Sequence, residues 1–364
     1  MEQFPTLYKR TSTGAIQTWF MEVEDDKYRS TSGQLYGKLT TTEWTVCEPK
    51  NVGKKNERSG AQQAVAKVES IYKKKRRTDY FDNVDDVDNV TRTKPMLATA
   101  LDKLDLEDDQ PVLIQPKFDG FRCVARKDGL FTREGLPINT VPHISRALSA
   151  FFELYPDVIL DGELYNHKYC DNFNKISSIL RNESPTAEEA ALAAEMFYVT
   201  YDVPSSKQPQ DQRLSLLKEY NGKIDHKMVT VADTRPATVA DIPELLEQAL
   251  KRKYEGVIAR IPTALYANKR SKDLIKVKKI LEEDFTIVRI EEGVGNGAGK
   301  ARRVVMQTED RTEFSVGVIG DDDYATSLFE SRDNFRGQRG SVKFLNLTPR
   351  GVPRGGKLKS VRWG

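Results

Sequence analysis

Lys117 lies in the segment Gln115-Pro116-Lys117-Phe118-Asp119-Gly120-Phe121-Arg122, with an acid two residues on, a glycine three on and an arginine five on. A lysine amine attacks an electrophile only when neutral, and its reference pKa of about 10.4 must then be depressed. Neighbouring cations or a bound metal do that, and Arg122 is placed to supply one such cation. Gly120 allows close backbone approach to a ligand. Alone, the segment also admits a plainer reading, a surface hairpin with an ion pair.

Downstream segments add to the set. Leu160-Asp161-Gly162-Glu163-Leu164 ends a strand-like run with carboxylates about a glycine, and Glu255-Gly256-Val257-Ile258-Ala259-Arg260 opens another. Lys276-Val277-Lys278 puts two lysines on one face of a strand, because strand side chains alternate. Glu163 and Glu255 offer the oxygen ligands that Mg2+ (or Mn2+) prefers, and the lysine pair offers charge to a polyphosphate. A nucleophilic lysine, separated carboxylates and paired lysines are equipment for phosphoryl or nucleotidyl transfer, which relies on positioning and charge stabilisation.

Three regions must position these groups. Residues 1–89 alternate like strands at 7–10, 16–24 and 44–47. Val65, Val68, Ile71 and Tyr72 then recur at helical spacing over 61–75, and an acidic stretch at 79–89 reads as a linker. Residues 90–280 mix strands (111–115, 121–126, 158–161, 197–202) with helices at 187–196 and 243–253. Residues 281–364 carry short strands at 285–290, 302–307, 313–318 and 340–344 between glycine turns, the pattern of a small β-barrel. The fold class is α+β.

Composition bounds the rest. No apolar run reaches the roughly 20 residues of a membrane span, and the N-terminus has no signal-peptide pattern, so the expectation is a cytoplasmic protein without a membrane partner. Cys47, Cys123 and Cys170 show no metal-ligand spacing and fit a reducing compartment. Net charge is only +3, but the basic run 73–77 and the acid-free tail 349–364 can face phosphate. Residues 293–300 are glycine-rich without the spacing of a phosphate-binding loop, and are expected to form a loop between barrel strands.

In order and approximate spacing, these segments resemble the motifs of the covalent nucleotidyltransferases: ATP-dependent DNA ligases, RNA ligases and mRNA capping enzymes. Residues 117–122 resemble motif I, 160–164 motif III, 198–202 motif IIIa, 255–260 motif IV and 274–278 motif V. Residues 94–98 resemble the opening of ligase catalytic domains, and 347–354 the closing segment of phage-type ligases. An Arg-x-Asp-Lys-like motif VI is missing. The resemblance implies an ATP-grasp-like nucleotidyltransferase domain followed by an oligonucleotide-binding (OB-fold) barrel. It implies ATP as consumed substrate, Mg2+ as cofactor, and nick sealing in duplex DNA during replication, repair or recombination. Lys117 would carry AMP; Gln115 would meet adenine; Arg122 and Arg133 would contact phosphate and ribose. Glu163 would hold ribose or metal, Tyr201 would stack on the purine, Glu255 would bind metal, and Lys276 and Lys278 would neutralise phosphates. The implied enzyme is a monomer in a bacterial or phage-infected cytoplasm.

Residues 1–89 resemble a WGR-like module of nucleic-acid-binding proteins through Trp19, residues 37–44, Lys50-Asn51 and the basic helix end, although the Trp-Gly-Arg tripeptide is absent. Lys73, Lys74 and Arg76, with Arg350 and Arg354 in the tail, are the expected nucleic-acid contacts. The alternatives are an RNA ligase or GTP-dependent capping guanylyltransferase, and a catalytically silent binding module. The intact lysine and carboxylates argue against the silent module, and the opening and closing segments favour a DNA ligase.

Overall fold

A computed structural model describes residues 1–88, 93–170, 172–182, 184–224, 226–348 and 350–362, apart from the Asn296 side chain. The chain divides into two compact units, Arg92–Lys279 and the combination of Met1–Thr91 with Ile280–Gly364. The boundary expected near residue 90 lies outside the described residues.

In residues 1–88 a six-stranded sheet is built around Ile16–Glu24 and Lys27–Gln34. Helix Gly60–Arg76 starts at a capping box, in which Ser59 accepts from the Gln62 N–H and the Gln62 side chain accepts from the Ser59 N–H. Its Ala64, Val68 and Tyr72 pack on Leu7, Trp19 and Met21. The acidic stretch is no linker over its described part. Tyr80 is buried, Phe81 exchanges main-chain hydrogen bonds with Tyr8 at 2.8 and 2.9 Å, and Asp88 pairs with Arg10 at 2.5 Å. Tyr80 contributes to the core, which is why its neighbours are held down.

Residues 280–362 form a closed, OB-like five-stranded barrel in the order Leu281–Glu292, Ala301–Gln307, Glu313–Val318, Lys357–Val361, Arg339–Phe344. Ile287, Val304, Met306, Val342 and Leu358 fill it. The expected strands are present, and two features were not expected: the helix Asp322–Glu330 and the closing strand Lys357–Val361. The glycine-rich segment is a loop between the first two barrel strands, carrying one 3-10 turn at Gly295–Gly297.

Unit Arg92–Lys279 holds two five-stranded sheets. One runs Arg235–Thr238, Pro111–Lys117, Gly256–Arg260, Arg270–Lys278, Leu97–Ala100; the other runs Gly129–Thr132, Phe121–Arg126, Leu160–Tyr165, Phe197–Asp202, Val229–Val231. Helix Ile242–Lys251 lays Ile242 and Ala249 on Val112, Ile114 and Val257 behind the first sheet. Helix Pro142–Leu154 presents Ile144, Leu148, Phe151 and Phe152 to Cys123, Leu160 and Leu164 behind the second. The chain crosses from one sheet to the other through the turn after Lys117 and again at residues 232–234.

Candidate active site

Three neighbouring strands set the floor. Lys117 and Lys278 both lie opposite Gly256 in the antiparallel register, and Gln115 and Lys276 both lie opposite Ile258. The period-2 alternation therefore brings Gln115, Lys117, Lys276 and Lys278 onto one face. Gly256 is required there, since a Cβ at that position would lie 2.2 Å from the Val277 carbonyl oxygen. The Glu255 N–H donates to the Lys117 carbonyl at 3.1 Å, and the Glu255 carboxylate ion-pairs with the Lys117 ammonium. Its other oxygen accepts from Lys278 Nζ at 3.4 Å. Burial pushes the Glu255 carboxyl up, but Lys117 and Lys278 outweigh it and hold the group below the ordinary glutamate range. The Lys276 ammonium is pushed down, first by burial and then by Lys278, Arg270 and Lys117.

The second sheet supplies the facing wall. Arg122 and Glu163 are cross-strand partners, and Gly120 lets the Lys117 turn lie on the Glu163 strand, because a Cβ there would fall 2.6 Å from Glu163 Cγ. Arg122, the cation expected near Lys117, lines the same cavity and is itself ion-paired. Its guanidinium forks onto the buried Asp161 carboxylate at 2.9 and 2.5 Å and donates to the Met96 carbonyl at 2.7 Å, and Tyr266 adds a hydroxyl to Asp161 at 2.7 Å. Glu163 accepts from the Tyr201 hydroxyl at 3.3 Å. Its carboxyl is pushed up to about 7, chiefly by burial with the Asp161 charge adding, against the pull of Lys117, Arg122 and the Tyr201 hydroxyl. The Tyr201 ring has the Arg122 guanidinium 5.7 Å and the Arg260 guanidinium 5.4 Å from its centroid.

Between the walls lies a cavity of about 440 Å³. Lys117, Gln115, Arg122, Arg133, Glu163, Tyr201, Lys276 and Lys278 all line it. Arg181, Arg260 and Arg270 also line it and were assigned no role from sequence. Arg260 stood in the quoted Glu255 segment, and Arg270 opens the Lys276 strand, so position in those segments was the available signal. Gln115 is 2% exposed, and its amide bonds to Arg260 at 2.8 Å and Thr234 at 2.9 Å.

The family model for the ATP dependent DNA ligase domain matches residues 95–278, the unit that holds this cleft. The chain belongs to the ATP-dependent DNA ligase family. It is 26% identical to the DNA ligase of Haemophilus influenzae over 215 residues, 57% of this chain and 74% of that one. It is 25% identical to the DNA ligase of African swine fever virus (isolate Warthog/Namibia/Wart80/1980) over an alignment of 404 residues, covering 96% and 92% of the two chains. A solved Lig E DNA ligase shares the fold, with a TM-score of 0.61 at 23% identity over 74% of this chain and 98% of that one.

Among the described residues no group of three or more His, Cys, Asp or Glu side chains could hold a metal by protein ligands alone. The ligase cleft fits Mg2+ only in the way that ion binds beside nucleotides, through one or two carboxylates completed by phosphate oxygens and water. Glu163 and Glu255 are the carboxylates that would hold it, and Glu255 is shared with Lys117 and Lys278. The expected nucleic-acid residues lie elsewhere. Lys73 and Lys74 are exposed at the end of their helix. Arg76 is committed to Asp82 at 2.6 Å and lies over the Tyr72 ring. Arg350 is exposed beside the turn closed by the Gly351 N–H on Thr348, and the Arg354 N–H returns to Asn346, so this tail segment is a hairpin between the last two barrel strands. Among the described residues no helix is long and apolar enough to cross a membrane.

Proposed function

We propose that Lys117 carries AMP in this ATP-dependent DNA ligase and that the cleft passes AMP to a nicked duplex. The observation that carries the reading is the common face of Lys117, Lys276 and Lys278, closed by Glu255 and opposed by Glu163 and Tyr201. Glu255 holds the Lys117 ammonium, and attack requires that the proton leave first. The Lys117 nitrogen then bonds to the α-phosphorus of ATP while the bond to pyrophosphate breaks. Gln115, Tyr201 and Arg133 hold the nucleoside, Glu163 takes the ribose, and Lys276 and Lys278 neutralise the phosphates. A DNA 5′-phosphate oxygen next attacks the same phosphorus and the N–P bond breaks. The 3′-hydroxyl finally attacks the 5′-phosphorus and AMP leaves. Mg2+ (or Mn2+) on Glu163 or Glu255 would supply charge neutralisation on phosphate oxygens.

Residues 1–88 form, in this reading, a WGR-like accessory module that adds DNA affinity through Lys73 and Lys74. The catalytic unit is ATP-grasp-like, and the barrel is an OB-fold that contributes Arg350 and Arg354 to DNA. The enzyme acts as a monomer in the cytoplasm of a bacterium or phage-infected cell, which free cysteines among the described residues suit. The test uses α-labelled ATP or GTP with Mg2+, followed by nicked DNA or nicked RNA. Covalent label from ATP, absent in Lys117→Ala and discharged by nicked DNA, is expected. Label from GTP alone would overturn the reading.

A further inference from the structure

A glutamine amide is ambiguous by itself: turned over about its last bond, it exchanges donor for acceptor while keeping its shape. At Gln115 that ambiguity bears on purine choice. Adenine carries an amine donor at its 6-position, where guanine carries an acceptor. The protonation of ring N1 reverses in the same sense. An amide free to turn serves either base.

Here the amide is fixed from both ends. Gln115 Oε1 accepts from Arg260 Nε at 2.8 Å, and a guanidinium can only donate. Arg260 is held in turn by Asp202 at 2.6 Å and Gln210 at 3.0 Å, with Arg213 on the far side of Asp202 at 2.7 Å. Arg213, Asp202, Gln210 and Arg260 are 0, 1, 2 and 4% exposed. At the other end Gln115 Nε2 donates to Thr234 Oγ1 at 2.9 Å. The Thr234 hydroxyl hydrogen is committed to the Ala232 carbonyl at 2.9 Å, so its oxygen can only accept. Turning the amide over would set N–H against N–H at Arg260 and lone pair against lone pair at Thr234.

In the fixed orientation Gln115 keeps one lone pair on Oε1 and one hydrogen on Nε2 for a ligand. That is an acceptor for a 6-amine and a donor for an unprotonated ring nitrogen. We propose that Arg260 and Thr234 are positioning residues that set the purine specificity of adenylation by holding the Gln115 amide in its adenine-reading orientation. The inference rests on the reading of Gln115 as the residue that meets the base.

The test compares covalent labelling of Lys117 by α-labelled ATP and α-labelled inosine triphosphate, whose base differs from adenine only at the 6-position and N1. Purine riboside triphosphate, with no 6-substituent, reports any general loss. Thr234→Val removes one constraint with little change of shape, and should lower the ATP-over-inosine preference about tenfold beyond that general loss. Arg260→Met should lower it at least as far, and if that variant does not fold, Thr234→Val decides alone. A preference lost in Gln115→Ala but unchanged in Thr234→Val would overturn the positioning role and leave the Gln115 reading standing. A preference unchanged in Gln115→Ala would overturn the Gln115 reading itself.

Discussion

Replacing Glu163 by Gln should stabilise the catalytic unit at alkaline pH while weakening its reaction with ATP. The Glu163 carboxyl sits at about 7 in the fold, against 4.5 for an ordinary glutamate, because burial outweighs the attraction of Lys117 and Arg122. Below 4.5 the group is protonated in both folded and unfolded chains and has no effect on their balance. From there to about 7 the folded protein holds a proton that the unfolded chain has released, so stability falls as pH rises. The slope is about 1.4 kcal/mol per pH unit, and the accumulated loss above neutrality is about 3 kcal/mol. The amide in Glu163→Gln is neutral at every pH and could still accept from Tyr201, so the variant escapes that loss. In a unit of this length about 3 kcal/mol corresponds to roughly 6–12 °C in Tm. Calorimetric scans of both proteins at about pH 5 and about pH 8 make the comparison. The two should melt nearly together at the lower pH, and the variant should melt several degrees higher at the upper. A difference that is the same at both pH values would refute the claim that the fold holds Glu163 protonated. On the proposed reading, covalent AMP labelling should meanwhile fall in Glu163→Gln above about pH 7, where a neutral amide replaces the ionised carboxylate that would receive the ribose.

Asp202→Asn leaves the buried guanidiniums of Arg213 and Arg260 without their anion, and should cost about 3–5 kcal/mol in denaturant unfolding. Breaking the exposed Arg10–Asp88 pair with Arg10→Ala should cost far less, and equal losses in the two variants would contradict the burial argument. Gly256→Ala sets a Cβ against the Val277 carbonyl and must push apart the strands that carry Lys117 and Lys278, so labelling by ATP should fall by at least about tenfold even where the protein remains folded by circular dichroism. The double variant Lys73→Glu, Lys74→Glu should bind nicked duplex more weakly, with a log K against log salt slope shallower by roughly 2. Its self-adenylation should be unchanged, and unaltered DNA affinity would remove these lysines from the DNA surface.

The candidate site was legible because it is written in short segments. Lys276 and Lys278 share a face through the two-residue period of a strand, and Lys117 ends its strand next to a glycine turn; both readings need only local geometry. The strands at 16–24 and 313–318 likewise announced themselves by alternation. Helix Gln210–Asn221 did not, because its buried face includes Gln210 and Arg213, polar residues that interrupt the apolar repeat. Strand Lys27–Gln34 is almost wholly hydrophilic and gained its place by pairing with Ile16–Glu24. Helix Pro142–Leu154 is a different case: Ile144, Leu148, Phe151 and Phe152 follow a helical period, and Pro142 stands at its first turn, so the signal was present and unread.

By itself, then, the sequence determined which residues can do the chemistry and on which strand faces they lie, since both follow from residue type and backbone period. Tertiary structure decided what those residues are bonded to. Arg122 is ion-paired with Asp161, 39 positions away. Glu255 is closed between Lys117 and Lys278, and the Gln115 amide is oriented by Thr234 and Arg260, 119 and 145 positions distant. The charge a buried group keeps and the direction a polar group points depend on neighbours brought together by folding, and no local pattern in the chain encodes them.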